Sequence, residues 1–261
     1  MVAILSSQRE VILDAVQAMY TAVATTPDRG FHFPTGRAAC EFVGYPAEQL
    51  DALPATAVES FAGVGYPFAA RAIDSGHVVL DVGSGSGTDV LIASQLVGPT
   101  GRVYALDMTE AMRAKLRANL DRAGVKNVKI LDANAESIPL PSESVDVVTS
   151  NGVLNLVPDK PKAVGEIFRV LQRGGRVQIA DIVLTSDPSD ACRSQPALWA
   201  ECIVGATTEP AFLELFRTAG FADVELLSHL DYFEASASAE TRKVAGSFGA
   251  RTAVMRATKP R

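Results

Sequence analysis

The sequence has few cysteines, no long hydrophobic run and no excess of basic residues. Its three cysteines, Cys40, Cys192 and Cys202, are too few and too scattered for a disulfide framework, so we expect reduced thiols. No apolar run reaches the roughly 18–20 residues that span a bilayer, and no secretory signal is recognisable at the start. We therefore expect a cytoplasmic protein without a membrane partner. The formal net charge of −6, without a basic stripe, gives no reason to expect a nucleic-acid partner.

From Val78 onward, short apolar runs alternate with helical segments. Strands separated by helices are typical of an α/β fold with a doubly wound, mostly parallel sheet and right-handed crossovers. The pattern predicts strands at 78–82, 103–107, 127–132, 145–150 and 175–183, and helices at 88–97, 109–123 and 160–172.

The two ends of the chain depart from this alternation. We predict a helical N-terminal lid over residues 1–75 and a core over 76–261, with an insertion at about 185–230. The lid is expected to contain helices at 8–24, near 37–43 and at about 55–73. The insertion is expected to contain helices around 195–205 and at 209–219, and "ADVELLSHLDYFEASA" and "RTAVMRATK" indicate two late strands.

The stretch "DVGSGSG" follows the first predicted core strand and opens a helix. Gly83 and Gly85 lack a Cβ atom, so the chain can turn tightly and a ligand can approach its backbone. The spacing is G-x-G-x-G, with Asp81 upstream, and an acid there suits a cationic ligand better than a pyrophosphate. Asp107, at the end of the next strand, is placed to accept both hydroxyls of a ribose. The alternative is a plain tight turn between strand and helix.

With these motifs the sequence resembles the class I S-adenosylmethionine-dependent methyltransferases over about residues 78–181. "DANAESIPLPSESVDVV" looks like their adenine-contacting loop and fourth strand, and "RVLQRGGRV" like the turn before the fifth. The resemblance implies S-adenosylmethionine as the cofactor, with Asn151 lying where cofactor and acceptor meet. The residues that it implies as cofactor contacts are Asp81, Gly83, Ser84, Gly85, Asp107, Met108, Asn134, Ala135 and Asn151.

A narrower resemblance, over about residues 18–221, is to the arsenite methyltransferases. "SNGVLNLVPDK" and "LWAECIVGA" are its most specific parts, but the three thiolates that hold As(III) in that family are mostly missing. Gly152 replaces one cysteine, "AGVGYP" replaces a Cys-Gly pair, and Cys40 is offset in the altered stretch "RGFHFPTGRAAC". Only Cys202 matches a ligand position well. We therefore expect no three-thiolate arsenic site and no resident metal.

The acceptor site is predicted at Asn151, Cys202 and His32, with Phe31 and Phe33 beside it. The alternative is that these aromatics pack the lid, that His32 is solvated, and that Cys202 is a small buried residue. The predicted function is methylation of a small-molecule acceptor. Two alternatives stay open: methylation of arsenite or another metalloid with few protein thiols, and binding of S-adenosylmethionine without catalysis.

Overall fold

The computed structural model describes residues 6–188, 199 and 203–261. The predicted helix at 195–205 falls largely outside this range, as do Cys192 and Cys202. No helix in the described part of the chain is long and apolar enough to cross a membrane.

A mostly parallel sheet forms the centre of the described structure. It runs in the order β3-β2-β1-β4-β5-β8-β7, and the short strand β6 pairs with β5. Only β8 against β5 and β7 against β8 pair antiparallel, so the predicted doubly wound α/β fold is confirmed. The strands are β1 Val78–Val82, β2 Arg102–Asp107, β3 Val128–Asp132, β4 Val145–Asn151, β5 Leu171–Leu184, β6 Thr207–Thr208, β7 Ala222–Leu230 and β8 Arg251–Thr258.

Helices cover both faces of this sheet. Because side chains alternate along a strand, Val79 of β1 enters one apolar core and Leu80 enters the other. The N-terminal helices, α5 and α6 pack on the first face, and α7 and α8 pack on the second. The helices are α1 Ser6–Thr25, α2 Gly36–Phe42, α3 Ala47–Asp51, α4 Ala55–Val58, α5 Thr88–Val97, α6 Glu110–Ala123, α7 Lys160–Val170, α8 Glu209–Ala219 and α9 Ala239–Phe248.

The predicted core elements agree with the structure to within a few residues. β1 is buried along almost its whole length, as expected for a parallel strand that is covered on both faces. α7 begins where the Asp159 side chain accepts a hydrogen bond from the Lys162 backbone N–H at 3.0 Å. Pro161 lies in its first turn, where no intrahelical N–H is needed.

The helix predicted at 55–73 is wrong. α4 ends at Val58, and an irregular segment leads into a single 3₁₀ turn at Pro67–Ala70. The reason is that this segment packs closely against the strands β4 and β5. A Cβ atom on Gly63 would lie 2.5 Å from Asn151 Nδ2, and one on Gly65 would lie 2.7 Å from Ala180 Cβ. Only a chain without side chains at these two positions can approach β4 and β5 so closely.

The segment predicted as an insertion contributes to the central layers where it is described. β7 forms the edge of the sheet. Phe221, two residues after the end of α8, places its ring 5.0 Å from the ring of Phe168 on α7. The division of the chain into lid, core and insertion stays a prediction. The sequence analysis did not predict α3, α9 or β6.

Candidate active site

A cavity with an empty volume of about 990 Å³ lies over the carboxyl ends of β1, β2 and β4. The chain runs from β1 to β2 and β3 on one side and then crosses to β4 on the other. This reversal of strand order opens a crevice, which is where doubly wound proteins bind their ligands.

All nine residues predicted as cofactor contacts line this one cavity. They reach it from four separate segments: the glycine turn after β1, the end of β2, the loop after β3 and the end of β4. Asn151 is the last residue of β4 rather than the first residue after it. Their individual contacts with a ligand stay predictions.

The glycine turn brings its backbone directly to the cavity. Gly83 has a φ angle of +76°, which L-residues rarely adopt, and a Cβ atom there would overlap the Val153 side chain. The Gly83 N–H donates to Leu106 O at 2.8 Å, and Ser84 Oγ donates to Asp81 O at 3.0 Å. These bonds tie the glycine turn to the strand before it, β1, and to the neighbouring strand β2.

Asp107 joins the glycine turn to the end of β2. Its carboxylate accepts the backbone N–H of Gly85 and that of Thr109, each at 2.8 Å, one on each oxygen. Each carboxylate oxygen retains acceptor capacity for a further donor. Burial raises the pKa of this carboxyl, while the two N–H bonds lower it.

A second acid, Asp89, lines the cavity beside Asp81, and sequence reasoning missed it. Asp89 lies in the first turn of α5, where it accepts hydrogen bonds from Tyr45 Oη and, at 3.1 Å, from Asn151 Nδ2. Burial raises the pKa of Asp89 to about 6, and these hydrogen bonds partly oppose the shift. Burial, and then the charge of Asp89, hold the pKa of Asp81 well above its usual range. Two buried acids side by side favour a ligand with positive charge.

Asn151 holds the irregular segment before the first strand against β4. Its Oδ1 accepts the N–H of Val64 at 2.7 Å and that of Gly65 at 3.2 Å, and its Nδ2 donates to Gly65 O at 2.9 Å. Nδ2 also donates to Tyr45 Oη at 3.0 Å.

The sequence analysis missed Asp89 and Tyr45. The position of Asp89 after the glycine turn could have signalled its role. Tyr45 gave no local signal, because it reaches the site from 106 residues before Asn151.

The N-terminal helix α1 forms one wall of the cavity with Leu13, Val16 and Tyr20. Gln17 Nε2 donates to Met108 O at 3.3 Å, and the Arg9 guanidinium pairs with Glu136, with Nε 3.0 Å from Oε2. Both partners of α1 belong to the cavity lining. The helix thus shields the ligand-binding space from solvent on that side.

Of the three predicted acceptor residues, the structure places one at the cavity, and the acceptor site stays a prediction. Asn151 lines the cavity, Cys202 lies outside the described residues, and His32 is absent from the described lining. The His32 ring packs edge-on to Phe33 at 4.7 Å, and its backbone carbonyl accepts a hydrogen bond from Ser236. Phe33 is buried, with the ring of Phe31 stacked 5.7 Å away. Both aromatics therefore pack as part of the apolar core.

Gly152 lines the cavity, but the space beside it is partly filled. Its φ angle is +73°, and a Cβ atom there would lie 3.2 Å from Val64 Cγ1. Val64 belongs to "AGVGYP", the segment that the resemblance to the arsenite methyltransferases implies as a replacement for a Cys-Gly pair. The space beside Gly152 is therefore bounded by an apolar side chain.

Thiols are scarce at the site. Cys40 is fully buried and lies outside the described cavity lining, and burial raises the pKa of its thiol. No described lining residue is a cysteine. Within the described residues, no group of three or more His, Cys, Asp and Glu side chains could hold a metal ion.

The cavity fits S-adenosylmethionine in charge and polarity. Asp81 and Asp89 face the region of the glycine turn, where the positively charged methionine end would lie, and Asp107 offers acceptors for hydroxyls. The remaining wall, where a flat base could lie, is largely apolar and is formed by Leu106, Met108, Val153, Leu156 and Val157.

Comparison with known proteins gives consistent matches. The profile of the family described as "Methyltransferase domain" matches residues 73–220. An arsenite methyltransferase of Halobacterium salinarum is 37% identical over 192 residues, which cover 74% of this chain and 49% of that protein. A ubiquinone/menaquinone biosynthesis C-methyltransferase, UbiE, of Pasteurella multocida is 39% identical over 110 residues, which cover 42% of this chain and 41% of that protein.

Among solved structures, an arsenic(III) S-adenosylmethionine methyltransferase from Chlamydomonas reinhardtii superposes with a TM-score of 0.65 at 29% identity. The match covers 87% of this chain and 75% of that chain. The present chain spans about half the length of the curated arsenite methyltransferases that it matches.

Proposed function

Since this chain belongs to the family of methyltransferase domains, with S-adenosylmethionine as its cofactor, we propose that it methylates a small-molecule acceptor that is not held by three thiolates. The observation that supports the proposal is the position of Val64, whose Cγ1 would lie 3.2 Å from a Cβ atom on Gly152. By the resemblance to the arsenite enzymes, thiols would be expected in both of these segments.

We assign the cofactor contacts by charge and position. Asp107 accepts the ribose hydroxyls, and Asp81 with Asp89 faces the ammonium and sulfonium charges of the methionine end. Asn134 and Ala135 lie beside the base, against the apolar wall. When bound, the cofactor supplies a methyl group that is already activated by the positive charge on sulfur.

The remaining work of the protein is alignment and exclusion of water. No dedicated general base is required for a nucleophile that attacks an activated methyl group, so orientation contributes most of the acceleration. α1 covers the cavity through Leu13, Val16 and Tyr20, which keeps water from the sulfonium. Asn151 holds Val64 and Gly65 in place and so shapes the acceptor side.

The walls next to Asn151 favour an organic acceptor. Phe61, Gly63 and Tyr20 line the cavity, and a Cβ atom on Gly63 would lie 2.5 Å from both Phe61 Cζ and Asn151 Nδ2. Aromatic and small residues bind an apolar organic molecule by contact and leave As(III) without ligand atoms. The similarity to a C-methyltransferase is compatible with such an acceptor.

Arsenite is the second candidate, because two of the similar proteins are arsenic methyltransferases. It would require Cys202 together with thiols from solution, since Cys40 is buried with a raised thiol pKa. The third candidate is binding without catalysis. Asp81 and Asp107 argue against decay of the cofactor site but serve a binding protein equally well, so turnover decides between this candidate and the other two.

Formation of S-adenosylhomocysteine tests these candidates. The assay uses arsenite, with and without glutathione, and a panel of phenols, quinols, amines and thiols, each with the wild type and with Cys202→Ser. We expect turnover with an organic acceptor and little with arsenite. Arsenite turnover that depends on Cys202 would replace the proposal by the second candidate, and no turnover with any acceptor would favour the third.

A further inference from the structure

Two buried charged residues outside the cavity lining, Asp181 and Lys160, hold one of its walls. Asp181 lies near the end of β5 and is fully buried, and Lys160 opens α7 with 6% of its surface exposed. Both act on the loop of residues 152–157, which connects β4 to α7. Four residues of this loop, Gly152, Val153, Leu156 and Val157, line the cavity.

The carboxylate fixes the loop through its N–H groups. Asp181 Oδ2 accepts the N–H of Leu154 at 2.7 Å, and Oδ1 accepts that of Asn155 at 3.1 Å. Oδ1 also accepts the N–H of Ile182, at 2.8 Å, so the carboxylate is tied to its own strand as well. These bonds hold the 3₁₀ turn Leu154–Leu156 at a fixed position against β5.

The ammonium fixes the same loop through its carbonyl groups. Lys160 Nζ donates to Val157 O at 2.9 Å and to Asn155 O at 3.2 Å. The residue Asn155 is therefore held on both sides, its N–H by Asp181 and its carbonyl by Lys160. A charged group that donates or accepts several backbone hydrogen bonds defines a geometry more narrowly than apolar contacts do.

Stability is a weak reason for burying these charges. Removing two ions from water is expensive, and apolar residues of similar volume often stabilise a fold as well or better. Burial raises the pKa of Asp181 to about 6, while its three N–H partners and Lys160 lower it. Asp181 is thus kept in an environment that is unfavourable for a carboxylate, and its three hydrogen bonds go to the loop of residues 152–157 and to the strand β5.

Lys160 also connects this loop to the chain that follows β5. Its Nζ lies 4.9 Å from the centre of the Trp199 ring, within the range of a cation–π interaction. Gly205 packs between Asn155 of the loop and Trp199, because a Cβ atom on Gly205 would overlap Asn155 O and lie 2.8 Å from Trp199 Cε3. Trp199 is the only tryptophan in the sequence, so the tryptophan fluorescence of the protein comes from this one side chain.

We propose that Asp181 and Lys160 are positioning residues, which set the loop 152–157 against the bound cofactor and transmit its occupancy to Trp199. The part of this inference that concerns turnover rests on the proposed methyltransferase function. Its binding part does not, because S-adenosylhomocysteine can be titrated without any acceptor.

The test compares two variants with two matched controls. Asp181→Asn and Lys160→Met remove the loop-holding charges. Asp146→Asn removes a carboxylate that accepts the Val78 N–H at 2.7 Å at the opposite end of β4, and Lys162→Met removes an exposed ammonium from the same helix α7. Calorimetry with S-adenosylhomocysteine, Trp199 emission, thermal unfolding, kcat and KM are measured for the wild type, for these four variants and for Lys160→Arg, which keeps the charge.

We expect Asp181→Asn to weaken S-adenosylhomocysteine binding about tenfold and to lower kcat by about a hundredfold, since a displacement near 1 Å can have that effect on rate. Lys160→Met should change Trp199 emission in the free protein and reduce the change on ligand addition at least twofold, and Lys160→Arg should restore both. Both controls should bind S-adenosylhomocysteine with an affinity within about twofold of that of the wild type, even if their melting temperatures change.

Unchanged affinity and an unchanged emission response in Asp181→Asn and Lys160→Met would overturn the proposal, even if both variants melt at lower temperature. If Asp181→Asn does not fold, the comparison of Lys160→Met with Lys160→Arg decides, by affinity for S-adenosylhomocysteine and by the change in Trp199 emission. If the wild type binds S-adenosylhomocysteine but methylates no acceptor, the proposed function fails while the positioning role is still judged by affinity and emission.

Discussion

Restoring a thiol at position 152 should not create an arsenite enzyme. By the resemblance to the arsenite methyltransferases, Gly152→Cys returns a ligand residue to its family position. The backbone of Gly152, however, has a φ angle of +73°, and the new Cβ atom would lie 3.2 Å from Val64 Cγ1. A left-handed conformation costs a residue with a side chain about 1–2 kcal/mol, and the close contact adds to it.

We therefore expect Gly152→Cys to lower the free energy of unfolding by about 1–3 kcal/mol, because strain at a left-handed residue is of that size. Urea unfolding of the wild type, Gly152→Cys and Gly152→Ala measures it, and the alanine variant carries the same strain without a thiol. The double variant with Val64→Ala should recover only the part that comes from the contact. Arsenite is then titrated into each protein and followed by Trp199 fluorescence.

Two outcomes would refute this reasoning. Equal stability of Gly152→Cys and the wild type would show that the backbone at this position accepts a side chain without strain. Tight arsenite binding by Gly152→Cys alone would show that the cavity needs only one further thiol, and that Val64 does not obstruct a metalloid site.

Three further predictions concern the cavity and its surroundings. Burial raises the pKa of Asp89 to about 6, so its negative charge, which favours a cationic ligand, is lost below that pH. Calorimetry from pH 8 to pH 5 should therefore show the affinity for S-adenosylmethionine falling through about pH 6. An affinity that does not change with pH would contradict this prediction. Arg9→Ala removes the pair with Glu136 and should speed dissociation of S-adenosylhomocysteine by about three- to tenfold in stopped flow, with an unchanged rate contradicting a covering role for α1. Cys40 should resist iodoacetamide in the native protein and react after unfolding, as peptide mass spectrometry would show; rapid native labelling would contradict its burial.

The sequence sufficed for the elements whose periodicity is local. The run Val78–Val82, the glycine turn and the helix after it are recognisable because burial on both faces and a left-handed turn each leave a local pattern. The same holds for Asp107, whose distance from the glycine turn follows from the length of one helix and one strand.

Contacts between distant segments could not be predicted in this way. Helical periodicity suggested one helix over 55–73, but the packing of Gly63 and Gly65 on β4 and β5 excludes it. The hydrogen bond from Tyr45 to Asp89 joins residues 44 apart, and no local sequence pattern indicates it. His32 is predicted as a site residue because it is polar among aromatics. The fold shows that Phe31 and Phe33 pack as core, and the role of His32 stays a prediction.

Binding of S-adenosylhomocysteine to Asp107→Ala tests the central claim, that the cavity over β1, β2 and β4 holds the cofactor. Asp132 is the matched control, since it pairs with Asp107 in register on the neighbouring strand but is exposed. Hydrogen bonds to a charged group contribute about 1.5–3 kcal/mol each, so losing the acceptor of even one ribose hydroxyl should weaken binding at least about tenfold. We predict one site per chain in the wild type, that loss in Asp107→Ala, and affinity within about threefold of the wild type in Asp132→Ala. No binding to the wild type, or equal binding to Asp107→Ala, would contradict the account.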